Sequence, residues 1–185
     1  MSIVHLPDDY ESRIEVVVND LDFDVVARNI ILLLTFLVLN DPSEAAEYTL
    51  HLWYSAMVTN HCLTFLQTRL KPMIQEVCDK IAKKARTTLL GKTWSFGSRG
   101  ALRVVLTKEK WDALLGFLVV PAGLSQDKAQ ELRKKIVNAP ERRDYVDRRL
   151  LTRPPNCRLG TAKFRSDGLL LPFGHPRAAH SVPNP

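Results

Sequence analysis

The chain has 185 residues, 45% apolar and 25% charged, with a net charge of +6. That length fits one domain, or one domain with an appendage, and the apolar share supplies a real core. The charge is uneven: residues 1–82 hold 5 Lys/Arg against 12 Asp/Glu, and residues 83–185 hold 21 against 8. Two such halves attract each other within one fold, or the basic half offers a surface to nucleic acid or an acidic partner.

Three cysteines, Cys62, Cys78 and Cys157, with no CxxC pair, argue against a disulfide framework and a zinc cluster and point to a reducing compartment. The start, Met1-Ser-Ile-Val-His-Leu-Pro-Asp-Asp-Tyr, has neither the basic nor the apolar region of a signal peptide. The longest charge-free apolar run, Ile30–Leu39, is about half the roughly 20 residues of a membrane span. The expectation is an intracellular protein, cytoplasmic or nuclear, without a membrane partner.

In chain order, Ile14-Glu-Val-Val-Val-Asn-Asp predicts a strand covered on both faces, as in a parallel sheet. Asp22 or Asp24 caps the helix that follows, which runs from Val25 to Leu39 and is apolar nearly all round. Asp41-Pro-Ser-Glu44 has the form of a capping box, opening a helix through Ala45–Met57 with Leu50, Trp53, Tyr54 and Met57 on its apolar face. A longer helical stretch covers about Cys62–Leu90, kinked or divided by Pro72. Gly91–Gly100 reads as a loop and Leu102–Leu106 as a second strand. Thr107 caps a helix through Trp111–Leu118, Pro121-Ala-Gly is a turn, and Ser125 caps a helix to about Asn138. Another short helix starts at Ala139-Pro-Glu and runs through Tyr145 to Leu150. Beyond Arg153 prolines dominate, so the tail is expected to be extended or irregular, with Phe164, Leu169, Leu170, Leu171 and Phe173 buried.

Few residues suggest chemistry. Asp20 and Asp22 lie where a strand meets a helix, and in an open α/β sheet an acid there receives both hydroxyls of a ribose; on spacing alone a helix cap is the simpler role. Glu141-Arg-Arg-Asp-Tyr-Val-Asp-Arg-Arg149 alternates charge. It reads as a salt-bridged helix face, with Asp144 meeting Arg148, or as an arginine cluster of Arg142, Arg143, Arg148 and Arg149 that contacts an anion or a partner. Gly97-Ser-Arg-Gly100 lacks phosphate-loop spacing and is a turn. His61-Cys62 are helix residues expected to be buried, and His175 and His180 carry no ligand pattern. Trp53, Trp94 and Trp111 are expected in the core.

The run Asn19-Asp-Leu-Asp-Phe-Asp-Val-Val-Ala-Arg-Asn29, with Leu50-His-Leu-Trp-Tyr-Ser55, resembles the fungal domain of unknown function 4470, which often accompanies MYND-type zinc fingers and has a related segment in an axonemal dynein preassembly factor. Ala139-Pro-Glu-Arg-Arg-Asp-Tyr, Asp147-Arg-Arg, Phe164-Arg-Ser-Asp-Gly-Leu-Leu-Leu-Pro-Phe-Gly174 and Val182-Pro-Asn-Pro185 are similar to the region that follows it. The resemblance implies a fold like the nucleotide-binding half of S-adenosylmethionine-dependent methyltransferases, with Asp20, and Asp22 as second choice, at the place of the ribose acid. It also implies that the family's upstream strand and glycine-rich turn do not occur in this sequence, and the MYND finger is absent from it.

The combined expectation is a helix-rich α/β fold: a partial Rossmann-like, methyltransferase-like unit over 1–90, with a basic helical extension and a proline-rich packed tail over 91–185 forming one structural unit with it. No catalytic residue and no metal ligand stands out. The expected function is a non-catalytic interaction or scaffold module with a protein partner. The alternatives are a methyltransferase fragment, with S-adenosylmethionine as cofactor only if upstream sequence completes the site, and a nucleic-acid-binding module. A strand at 14–20 lying at a sheet edge would favour homodimers or marginal solubility.

Overall fold

The computed structural model describes residues 7, 9–142, 147–148 and 150–185, and its strands pair as two small antiparallel two-stranded sheets set among helices. Asp22 opens α1 (Phe23–Val38) by accepting the Asp24 N–H at 2.9 Å. Ala27, Ile30, Ile31 and Leu34 of α1 are buried. The buried hydroxyl of Thr35 donates to the Ile31 carbonyl at 2.8 Å, so this one polar group in the apolar run is satisfied.

Asp41 and Pro42 start α2 (Pro42–Tyr54), with Asp41 accepting the Ser43 N–H. Burial, followed by the nearby Glu44 carboxylate, raises the pKa of the Tyr48 hydroxyl. Of the face predicted to be buried, Leu50, Trp53 and Tyr54 are exposed, Trp53 by 46%, and Met57 is buried but lies beyond the end of the helix, while Ala45, Tyr48 and His51 point inward. Stacking of Trp53 on Tyr54, ring centroids 5.0 Å apart, and the Arg28 guanidinium over Trp53 cover part of that outward face.

β1 (Met57–Thr59) leads into α3 (Asn60–Phe65). A π-helical turn, Leu66–Leu70, joins α3 to α4 (Lys71–Lys80). Pro72 has no N–H to donate back along the helix, and the widened turn just ahead of it absorbs the lost bond, so the expected break takes this form. The helix stops well short of Leu90. β2 (Leu89–Ser95) and β3 (Ala101–Thr107) form a hairpin, so the first half of the expected loop 91–100 is strand. The turn itself contains Gly97 and Gly100 at φ +63° and +107°, which only glycine adopts without strain.

Thr107 caps α5 (Lys108–Leu114), and Ser125 caps α6 (Gln126–Val137), as the sequence predicts. Trp111 of α5 is fully buried, its ring set edge-on to Trp94 at 6.0 Å, and its indole N–H donates to the Leu90 carbonyl at 3.1 Å. One apolar cluster joins these residues to Ile31 and Leu34 of α1 and to Leu66, Leu70 and Ile74, so both halves of the chain share a core.

The tail is more regular than its prolines suggest. Pro155 occupies the first turn of α7 (Pro155–Asp167), where a missing N–H costs nothing, and Gly168 at φ +73° ends it. Leu169 is buried, whereas Leu170 and Phe173 are exposed. β4 (His180–Pro183) then pairs antiparallel with β1. There His180 packs on His51 of α2, and the Asn184 side chain donates to the last carbonyls of that helix.

Residues 14–20 depart most from expectation. They are exposed and make no ladder with any described strand. A run of β-branched residues favours extended backbone, but a strand exists only when a neighbour accepts its hydrogen bonds. Among the described residues no helix is long and apolar enough to cross a membrane.

Candidate functional site: a groove at the open edge of β3

Residues 14–20, α1 and β3 enclose a groove of about 490 Å³. Ile14, Val16 and Val18 line one wall, at the alternate positions of an extended segment. Ile30, Leu33 and Leu37 of α1 contribute to another, and consecutive residues of β3 close the groove. A face of β3 would supply only every second residue, so the lining by consecutive residues Ala101–Leu106 identifies its edge.

The register of the hairpin fixes which backbone groups this edge presents. At the turn the Phe96 N–H bonds the Gly100 carbonyl, and at the far end the Lys108 N–H bonds the Thr88 carbonyl. Hydrogen-bonded and non-bonded pairs alternate along an antiparallel ladder. The pairs Trp94–Leu102, Lys92–Val104 and Leu90–Leu106 are therefore the bonded ones. Ala101, Arg103 and Val105 direct their N–H and C=O groups away from β2, toward the groove. Among the described residues β3 has no ladder partner besides β2.

The groove is apolar with a basic rim. Val16 and Val18 are more than half exposed, and Leu33 and Val105 are exposed as well. Arg99, Arg103 and Lys110 line it together with one acid, Asp20. Among the described residues none of the three basic side chains is in an ion pair; Arg99 donates to the Leu39 carbonyl, and Lys110 sits over the Phe23 ring.

Of the residues singled out in the sequence, Asp20 belongs to this groove and Asp22 does not line it. Asp20 accepts the Asp22 N–H at 2.9 Å, and Asp22 in turn caps α1, so both carboxylates serve local backbone. Arg148 is exposed and outside the groove; Arg142 lies in a short turn, Pro140–Arg142. Arg143 and Arg149 lie outside the described residues, as does Asp144 of the expected Asp144–Arg148 pair. Cys62 is buried, and burial first, then Glu47 and Glu44, pushes its thiol up to about 12, while the neighbouring His61 is exposed.

Sequence reasoning missed Arg99, Arg103 and Lys110. The run Leu102-Arg-Val-Val-Leu reads as a strand, but only the tertiary fold shows that one of its edges is open.

The comparisons with known proteins agree with the sequence resemblance over its first part. Residues 1–58 match the model of a domain of unknown function, DUF4470. No curated protein and no solved structure matches the chain.

Proposed function

We propose that this chain is a non-catalytic interaction module, derived from a methyltransferase-like α/β fold, that takes an extended segment of a protein partner onto the edge of β3. The observation that carries this reading is the row of outward backbone groups at Ala101, Arg103 and Val105 beside an exposed apolar groove. Adding a strand to such an edge supplies main-chain hydrogen bonds, and alternate side chains of the guest enter the apolar walls. Arg99, Arg103 and Lys110 select a guest whose intervening residues are acidic. An open edge left unpaired is otherwise an aggregation hazard.

The test uses the full chain with synthetic seven-residue peptides alternating Val with Glu, or Val with Lys. The Val-Glu peptide is expected to bind and the Val-Lys peptide to bind at least tenfold more weakly. Val105→Pro removes one outward N–H without removing a β2–β3 bond, which an edge strand tolerates. It is expected to abolish binding while the circular dichroism spectrum stays unchanged. Equal binding of both peptides, or full binding by Val105→Pro, overturns the proposal. A dimer in sedimentation that Val105→Pro dissolves makes the guest a second copy of the chain. Steeply salt-dependent RNA binding with no peptide binding favours the nucleic-acid reading instead. A rise in melting temperature with S-adenosylmethionine restores the cofactor reading, because a ligand bound only by the folded state stabilises it.

A further inference from the structure

We propose that Glu47, His51 and His180 form a binding site for a divalent metal ion of the zinc class, which fastens the carboxyl-terminal strand to α2. One ligand atom from each of the three residues falls within 4.8 Å of the others. Glu47 and His51 are one helical turn apart on α2 and so project from the same face. His180 arrives from β4, carried there by the pairing of β4 with β1.

The separation of the two imidazoles is that of an N–H···N hydrogen bond in the metal-free protein and equally that of two ligands on one ion. Their Nε2 atoms face each other at 3.3 Å. In a tetrahedral zinc site with Zn–N bonds of about 2.0–2.1 Å, two nitrogen ligands lie about 3.3 Å apart. Both rings are buried, His51 6% exposed and His180 5%. Nitrogen lone pairs pointed at each other in an apolar setting repel unless a proton or a cation lies between them.

The surroundings complete the fit. His51 Nδ1 lies 2.8 Å from the Ser55 hydroxyl, which also accepts the Leu170 N–H. A proton on Nδ1 donated to that oxygen leaves Nε2 bare, the state a metal requires. The Nδ1 atom of His180 is buried without a hydrogen-bond partner, so the polar contact of that ring runs through Nε2, the atom that faces His51. Arg177, the nearby cation, is held by Asp167 at 2.8 Å, which offsets its charge. Glu47 is exposed, with a carboxylate oxygen within 4.8 Å of a ring nitrogen of each histidine, and water takes the fourth position. Neutral imidazole with one carboxylate is a donor set suited to zinc and to cobalt(II) as its spectroscopic stand-in.

The experiment adds Zn²⁺, and separately Co²⁺, to untagged full-length protein stripped with a chelator. The expected result is one ion per chain, the intense visible bands of tetrahedral cobalt, and slower proteolysis of the tail when zinc is present. His51→Ala and His180→Ala are each expected to abolish binding, and Glu47→Gln to weaken it at least tenfold. His61→Ala and Cys157→Ser, which change exposed residues elsewhere, leave it unaltered. Glu47 is on the surface, so Glu47→Gln folds and decides the matter even if a buried histidine variant does not. No stoichiometric binding, or binding that survives both Glu47→Gln and His180→Ala, overturns the proposal.

Discussion

Nε2 of His180 stands 3.3 Å from Nε2 of His51 although 129 residues separate them in the chain. Burial, followed by the presence of His180 and His175, holds the His51 imidazole down to about 4. His180 is also lowered, mainly by burial. The unfolded chain takes up a proton on each near the ordinary 6.5, and the folded chain does not. Stability of the metal-free protein is therefore full above pH 6.5 and falls as the pH drops toward 4, by about 2–3 kcal/mol from His51 alone between pH 7 and 4.5. Urea unfolding at the two pH values measures the loss. An NMR titration that places the His51 midpoint near 6.5 sinks the prediction.

The same strand carries a second fastening. The Asn184 amide donates toward the carbonyls of His51, Leu52 and Ser55, at 3.2, 3.1 and 2.8 Å. The His51 carbonyl also accepts the Ser55 N–H at 2.9 Å, whereas those of Leu52 and Ser55 lie at the helix end, where carbonyls have no partner inside the helix. Asn184→Ala is expected to cost about 1–2 kcal/mol, within the range for removing a partner of buried backbone groups. Amide exchange should quicken in β4 and β1 together, because the strands pair. A change confined to the last two residues of the chain would show that the side chain holds nothing.

Local signals survived into the structure where the chemistry is local. Asp22, Asp41, Thr107 and Ser125 each accept a backbone N–H at the start of the helix they were expected to cap. The failures lie where distant partners decide. The β-branched run at 14–20 lacks a ladder because no described strand lies against it, while Leu89–Ser95 becomes a strand because Ala101–Thr107 folds back on it. The periodicity of α2 could not show which of its two apolar stripes faces the core, and tertiary packing chose Tyr48 over Trp53. The groove was legible only through Asp20. The histidine pair was not legible, since Glu47 and His51 show helical ligand spacing but nothing near His180 in sequence points back to them.

The thiols are expected to differ sharply. Cys157 is exposed, and Cys62 and Cys78 are buried. Burial pushes the Cys78 thiol up to about 11, and its Sγ lies 3.3 Å from the Trp111 carbonyl. Since the thiolate is the reactive form, the native protein should show a single fast equivalent with a thiol reagent, lost in Cys157→Ser. All three react after denaturation. A second fast thiol in the native state would mean that the core around α3 or α4 opens readily.

Gly168 gives the sharpest test of the packing between the tail and the rest of the molecule. It sits at φ +73°, where a side chain is strained by about 1–2 kcal/mol. A Cβ there would lie 2.9 Å from the Ala56 Cβ and 3.1 Å from the Arg133 Cγ. The arginine stem is flexible and can give way, but Ala56 is anchored, its N–H bonded to the Gly168 carbonyl at 2.8 Å. Gly174 provides the control, with φ +82° and nothing within 4 Å of an added Cβ. Gly174→Ala is expected to show the conformational strain alone, about 1–2 kcal/mol, and Gly168→Ala that strain plus overpacking, about 2–4 kcal/mol in all. Denaturant unfolding of the two variants side by side isolates the contact, because the backbone term is common to both. Equal losses would show that α7 and the Ala56 backbone are not held together as tightly as the geometry requires.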